Sequence, residues 1–443
     1  MKKTFAPVPG GITAPQGFQA AGVFCDIKRL GTGKGSDKGH KRDLALIVSD
    51  APAAVAGMFT TNQVCAAPVK LSAPRAGQSS AQAIIANSGN ANACTGVRGW
   101  NDAQHMTEIV ARHLALPVDH VLVCSTGRIG VPLPMDNVKK GILAAVEQLG
   151  NSAAHARHAA EAIMTSDTQL KEVAIAFKLG GKPVRLAGIC KGAGMIQPGM
   201  SATGERPMAL PLHATMLCFI TTDAAIESSA LKLALGEAVA GSFNRITVDG
   251  DMSTNDSVII LANGLAGNPP VTAAKRRADW MLFQAALNHV TLELAKMIVR
   301  DGEGVSRFIT VRLSGAGSPA DADAAARAVA NSVLVKTSWC GGDPNWGRIL
   351  CALGYSPARV AEEKVDLAYS LSGSRKLVYS VKKGQSTSTP FAALCRITTQ
   401  KEFDLHVNLN LGAAGAVMYT GDLTEAYVDF NKGDVSNPSA LGG

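Results

Sequence analysis

Four short apolar runs limit the folds open to this chain: Ala83–Ala86, Val121–Cys124, Met216–Ile220 and Val258–Leu261. Such runs are too short for a buried helix and lack polar alternation, so each reads as a strand covered on both faces. Helices are expected between them, over residues 102–116, 138–149, 153–164, 229–243 and 271–299, where apolar residues recur at helical spacing. Strands alternating with helices predict an α/β fold, and ligand-facing loops in such folds lie at strand ends. The strand ends here are chemically rich. Ala83–Ala86 runs into Asn87-Ser88-Gly89-Asn90, Val121–Cys124 into Ser125-Thr126-Gly127-Arg128, and Thr215 opens the Met216 run.

At 443 residues the chain is too long for one core, and two or three packed units are expected. A hairpin is predicted from 173–179 and 184–190 around Gly180-Gly181. It returns the chain to Cys190-Lys191-Gly192-Ala193-Gly194, a flexible turn beside a cation. The long helix should end at Asp301-Gly302-Glu303-Gly304, where the glycines turn the chain and leave Glu303 projecting. A second unit is expected from about Phe308, with a helix over 320–330 and the motif Gly342-Asp343-Pro344-Asn345-Trp346-Gly347-Arg348. A half-exposed strand over 403–410 should follow, and a last strand over 426–430 that delivers Asn431.

Composition narrows the function. The net charge of +8 is spread thinly and not interleaved with aromatics, which suits solubility and small anions rather than nucleic acid. Nine cysteines form no CxxC pair and no cysteine–histidine zinc spacing, and most sit in apolar runs, as expected in a reducing compartment. No secretory signal and no run of membrane-spanning length is present, so a cytoplasmic protein is expected.

Thr215 has two readings. Its β-branched side chain suits a strand start. Alternatively, cleavage between Ala214 and Thr215 would leave a threonine whose own α-amine, with a pKa near 8, is the base for its hydroxyl. An acyl-enzyme route also needs oxyanion donors, and the backbone N–H groups of the Thr126-Gly127 turn are candidates. Lys191 and Glu303 are candidates for the charges of a small amino-acid substrate. The histidines are assigned packing or surface roles, because Thr215 would carry its own base.

Taken together, the stretches GGITAPQGFQAAGV, DLALIVSD, ANSGNANACTG, CSTGRIG, MTSDT, KGAGMIQPGM, ATML, TVDGDMSTNDS, RDGEGVSRF and VKTSWCGGDPNWGRI resemble the ornithine acetyltransferase family, the bifunctional glutamate N-acetyltransferases of arginine synthesis. The resemblance implies a layered αββα fold akin to the β-peptidyl aminopeptidases, with a smaller C-terminal α/β domain. It implies self-cleavage into residues 1–214 and 215–443, with 215–306 completing the catalytic fold and 307–425 forming the smaller domain, whose tail returns to the active site. The implied nucleophile is Thr215 and the implied oxyanion hole is Thr126 with Gly127. Thr165, Lys191, Glu303, Asn431 and Ser436 are the implied substrate contacts. The implied reaction moves acetyl from N2-acetylornithine to glutamate, with acetyl-CoA as a second donor in bifunctional members, no metal or organic cofactor, and the two fragments assembled as a heterotetramer.

Against the family pattern, Ser201–His213 is inserted between Met200 and Ala214 and is expected to be an exposed loop. The segment Cys25–Asp43 is long and basic, and the tail after Asn431 runs on through Ser436. These departures keep other readings open: a paralogous acetyltransferase with another amine acceptor, an amidohydrolase or aminopeptidase using the same threonine, or an uncleaved binding protein.

Overall fold

The computed structural model describes residues 5–28, 41–203, 216–273 and 277–432. Ala214, Thr215, Ser436, most of the inserted segment (204–213) and the basic stretch 29–40 lie outside the described residues. The chain forms two compact units, one built from residues up to Asn244 with Asp251–Ile298, the other from Arg245–Gly250 with Val299–Lys432.

In chain order the elements are β1 (Ala6–Pro7), β2 (Phe18–Val23), β3 (Leu44–Thr60), α1 (Ala67–Ala76), β4 (Ser80–Asn90), α2 (Gly96–Leu114), β5 (Val121–Arg128), α3 (Met135–Glu147) and α4 (Ala153–Ala162). The hairpin β6 (Lys171–Leu179) and β7 (Lys182–Lys191) follows, then β8 (Met200–Ser201), β9 (Leu217–Thr222), α5 (Ser228–Gly241), β10 (Ile246–Thr247), β11 (Ser257–Ala262) and α6 (Arg277–Arg300). The remainder comprises β12 (Phe308–Ala316), α7 (Pro319–Asn331), α8 (Val333–Cys340), α9 (Trp346–Gly354), β13 (Asp366–Leu371), β14 (Val378–Lys382), β15 (Gln385–Ser386), α10 (Phe391–Thr398), β16 (Glu402–Asn408), β17 (Ala414–Gly421) and α11 (Glu425–Asn431).

The first unit is organised by β3. Its first half, Leu44–Ser49, pairs with β2 and β4, while its second half, Ala54–Phe59, pairs with β11, and the register shifts between Val48 and Ala53. The strand order β1-β6-β7-β9-β11-β3-β4-β5 is therefore one sheet turned back on itself at this corner. The core shows the result. Ile84, Ala86, Leu122 and Cys124 of β4 and β5 share one apolar cluster with Ile189, Leu217, Phe219, Ile259 and Leu261 of β7, β9 and β11. Strands so far apart in the hydrogen-bonded order touch because they lie in two facing layers.

The outer faces carry the helices. Alternate residues of the first layer, such as Leu44, Leu46, Ile85 and Val123, cluster with Met106 and Val110 of α2 and with Val138 and Ile142 of α3. On the second layer, Gly188 of β7 leaves room for α6, because a Cβ there would stand 2.8 Å from Leu294 Cδ1. α5 packs on β3. The order helix, sheet, sheet, helix is the layered α/β architecture expected from the sequence.

The second unit is a seven-stranded mixed sheet in the order β10-β17-β12-β16-β13-β14-β15. Its core is centred on Trp339, Tyr369 and Phe403, packed with α7, α9 and α10. β16 behaves as its alternation predicts at Phe403, Leu405 and Val407, which are buried, but Asp404 is buried too, held by Arg312 at 2.8 Å. One expectation is corrected. Residues 426–430 are not a strand but part of α11, which opens with Glu425 in the favourable first turn. The period-two pattern of Tyr427, Val428, Asp429 and Phe430 misled because it is too short to separate the two states.

Candidate functional site

The folded-over sheet explains how Thr126 and Lys191 meet. Thr126 shares a face of β5 with Leu122 and Cys124, and Lys191 shares a face of β7 with Ile189, so alternation points both side chains between the layers. Lys191 Nζ lies 3.4 Å from Thr126 Oγ1, and the residues are only 2% and 1% exposed. A buried ammonium is costly unless compensated, so its presence here calls for polar partners between the layers.

Asp167 supplies part of that compensation. Its carboxylate accepts from Lys171 Nζ at 2.6 Å, from the Gly192 amide at 2.7 Å and from the Thr165 amide at 2.9 Å. Burial by itself would raise its pKa, but the cations of Lys171 and Lys191 together with these hydrogen bonds outweigh that and hold it below the usual carboxylate range. Asp167 thereby ties the turn after β7 to the loop that presents Thr165, a half-buried side chain.

Next to Thr126 the backbone is tightly constrained. β5 runs parallel to β4, with Ser88 opposite Thr126 and Gly89 opposite Gly127. Gly127 has φ +127°, and a Cβ there would meet Gly89 C at 2.5 Å and Asn90 N at 2.6 Å. Only glycine fits. Ser125 Oγ donates to Asn87 Oδ1 at 2.6 Å, which fixes the same strand ends from the helix-covered face, the one that Ile85 and Val123 share.

Thr215 precedes Met216, where the described chain resumes. The Met216 amide donates to Asp256 Oδ1, and its carbonyl accepts from the Ser257 amide at 3.1 Å. Leu217 then pairs with Lys191 on one side and with Ser257 on the other. Asp256 is fully buried, and its Oδ2 has no hydrogen-bond partner among the described residues. Burial raises its pKa well above the usual range, an effect only partly opposed by the Met216 hydrogen bond and the charge of Lys191.

Glu303 and Asn431 come together in the second unit, where Asn431 Nδ2 donates to Glu303 Oε2 at 2.9 Å. Gly304, with φ +68°, makes this possible, since a Cβ there would run into the Tyr427 amide at the start of α11. Thr424 Oγ1 donates to Gly304 O at 2.6 Å and closes the contact.

Of the residues named from the sequence and its family resemblance, Thr126, Gly127, Thr165 and Lys191 are gathered in the first unit, and Glu303 and Asn431 meet in the second. No role was read from the sequence for Lys171, Asn255 or Asp256. The positional signal for Asp256 was its place immediately before a buried strand. Among the described residues, no three His, Cys, Asp or Glu side chains group as metal ligands, and no helix is long and apolar enough to cross a membrane.

Residues 19–433 match the ArgJ family. The chain is 46% identical to the arginine biosynthesis bifunctional protein ArgJ of Symbiobacterium thermophilum over 95% of its own length and 98% of the relative's. It is 42% identical to the glutamate N-acetyltransferase of Methanocaldococcus jannaschii over 96% and 98% of the two chains. An ornithine acetyltransferase of Mycobacterium tuberculosis, solved with ornithine, aligns at 38% identity and a TM-score of 0.39 over 43% of this chain and 95% of that one.

Proposed function

The chain belongs to the ArgJ family, and from that premise we propose that it moves the acetyl group of N2-acetylornithine to glutamate through an acetyl-Thr215 intermediate, after cutting itself between Ala214 and Thr215. The observation that carries the assignment of residues is the buried approach of Lys191 to Thr126 at the ends of β7 and β5, with Leu217 paired directly to Lys191.

In this reading the freed α-amine of Thr215 takes the proton of its own hydroxyl as Oγ attacks the acetyl carbonyl carbon. Backbone N–H groups at Thr126 and Gly127 stabilise the oxyanion. Collapse breaks the bond to the ornithine nitrogen, which leaves with the proton and deposits acetyl on Oγ. Glutamate's amine then attacks the ester carbon, the bond to Oγ breaks, and the proton returns to the threonine. Lys191, Glu303, Asn431, Thr165 and Ser436 are proposed as contacts for the substrates' charged and polar groups. Acetyl-CoA is a second donor in the proposal, the fragments remain associated as a heterotetramer, and the enzyme works in the cytoplasm.

Mass spectrometry tests the processing step. The purified protein should consist of fragments 1–214 and 215–443, Thr215→Ala should stay full length, and the cut protein should transfer acetyl from N2-acetylornithine to glutamate. An intact chain with full transferase activity would overturn the mechanism, since the α-amine would still be in a peptide bond. Release of acetate without transfer would reassign the enzyme as a hydrolase.

A further inference from the structure

Residues 253–257 do more than lead into β11. Asn255 Nδ2 donates to Ser125 O at 2.8 Å and to Ala91 O at 2.6 Å, so this one amide clamps the carbonyl immediately before Thr126. The next residue, Asp256, accepts the Met216 amide through Oδ1, and Ser257 donates to the Met216 carbonyl. The segment's own backbone is fixed from a third side, since the Thr60 amide donates to Asp256 O at 2.9 Å. Asn255 and Asp256 are 2% and 0% exposed. Two consecutive side chains therefore reach in opposite directions, one to the strand that carries the oxyanion donors, the other to the peptide that follows the nucleophile.

We propose that the Asn255-Asp256 pair is a positioning device that sets the separation between Thr215 and the Thr126-Gly127 backbone. The proposal rests on the reading of Thr215 as nucleophile. The task is demanding because acyl transfer depends on reacting atoms being held within about 3–3.5 Å, and a misplacement of about 1 Å can cost about a hundredfold in rate. A strand end cannot supply that precision alone. In the hydrogen-bonded order of the described strands β9 reaches β5 through β11, β3 and β4, so small changes in twist at each ladder would accumulate. The two side chains bypass this route with a direct link from one layer to the other. In that role Asp256 needs an acceptor oxygen rather than a charge. Its environment, in which burial raises the carboxyl pKa, agrees with a neutral group.

The test uses the full-length protein and four variants: Asp256→Asn, Asp256→Ala, Asn255→Ala and the double alanine variant. Mass spectrometry of the parent comes first. If the parent is not cut before Thr215, the underlying functional reading fails, whatever the variants do. With a cut parent, Asp256→Asn keeps the acceptor oxygen and should retain kcat within about threefold. Asp256→Ala and Asn255→Ala should each lower kcat by about thirty- to a hundredfold, with KM for the acetyl donor within about threefold, because the substrate contacts are untouched. The double variant should be no slower than about threefold below the worse single variant, since both act on one distance. Single alanine variants that are folded and within threefold of the parent, or a double variant whose losses multiply, would overturn the proposal. If the alanine variants do not fold, Asp256→Asn and hydrogen exchange at the Met216 amide of the parent decide. A folded Asp256→Asn with kcat down more than tenfold, or an unprotected Met216 amide, overturns it; retention of both supports it.

Discussion

Gly127→Ala is a sharp perturbation because it adds one carbon at a place with no room for it. The new Cβ would lie 2.5 Å from Gly89 C and 2.6 Å from Asn90 N, whereas ordinary contact begins near 3.4 Å. Both obstacles are backbone, so the end of β5 must move away from β4 by about 0.9 Å, the difference between these distances. Alanine at φ +127° adds backbone strain of about 1–3 kcal/mol. A shift near 1 Å at an oxyanion donor corresponds to a loss of about a hundredfold in turnover. Steady-state kinetics with N2-acetylornithine and glutamate should show that loss in kcat, with little change in KM, beside a lowered midpoint in thermal unfolding. A folded variant with kcat within threefold of the parent would refute the placement of the oxyanion donors at this turn.

Other perturbations give separate expectations. Asp167→Asn should destabilise the protein by about 3–5 kcal/mol near pH 7, because it removes the carboxylate charge paired with a fully buried Lys171. The folded pKa of Asp167 is depressed, so its contribution is complete above the unfolded value near 4 and fades as pH falls below it; the gap between parent and variant in chemical denaturation should narrow there and not at pH 6–8. Lys336 is buried, with Nζ donating to Thr420 Oγ1 and Gly421 O, and burial lowers its pKa to about 8 despite Asp249 and Asp422. Between about pH 8 and 10.5 the unfolded chain holds a proton there that the folded chain has lost, so stability should gain from this residue as pH rises through that window. Lys336→Met should abolish that gain in denaturation curves. Glu303→Gln should raise KM for the amino-acid substrates more than it lowers kcat, which initial-rate kinetics will resolve.

Local features were legible in the sequence wherever one residue's neighbours decided its state. The β6–β7 hairpin followed from Gly180-Gly181, and α7 from its alanine spacing. What could not be read was the corner in β3. Asp50, Ala51 and Pro52 look like the end of a strand, since proline cannot donate to a ladder, yet the strand continues through a register shift where proline is tolerated. Without that corner Thr126 and Lys191 belong to unrelated strands, and their meeting is invisible. Asp256 was hidden differently. It shares a polar run with Asp249 and Asp251, and only its complete burial separates it from them.

The pairing order around β9 has a consequence for a cut chain. β9 and β11 follow the Ala214-Thr215 junction, whereas β7 and β3, which flank them, precede it. The later strands are thus threaded between two earlier ones, with a full ladder on each side. Breaking the peptide before Thr215 removes none of these hydrogen bonds, yet the pieces can part only if both ladders open together. Separation would require melting the sandwich, so the cut protein should behave in dilution as one molecule, without a measurable monomer–dimer type equilibrium between its halves. The same threading bears on assembly. Fragments made separately would each lack strands that the other supplies to the sheet, so under the proposed cleavage this topology should form in the single chain before the cut.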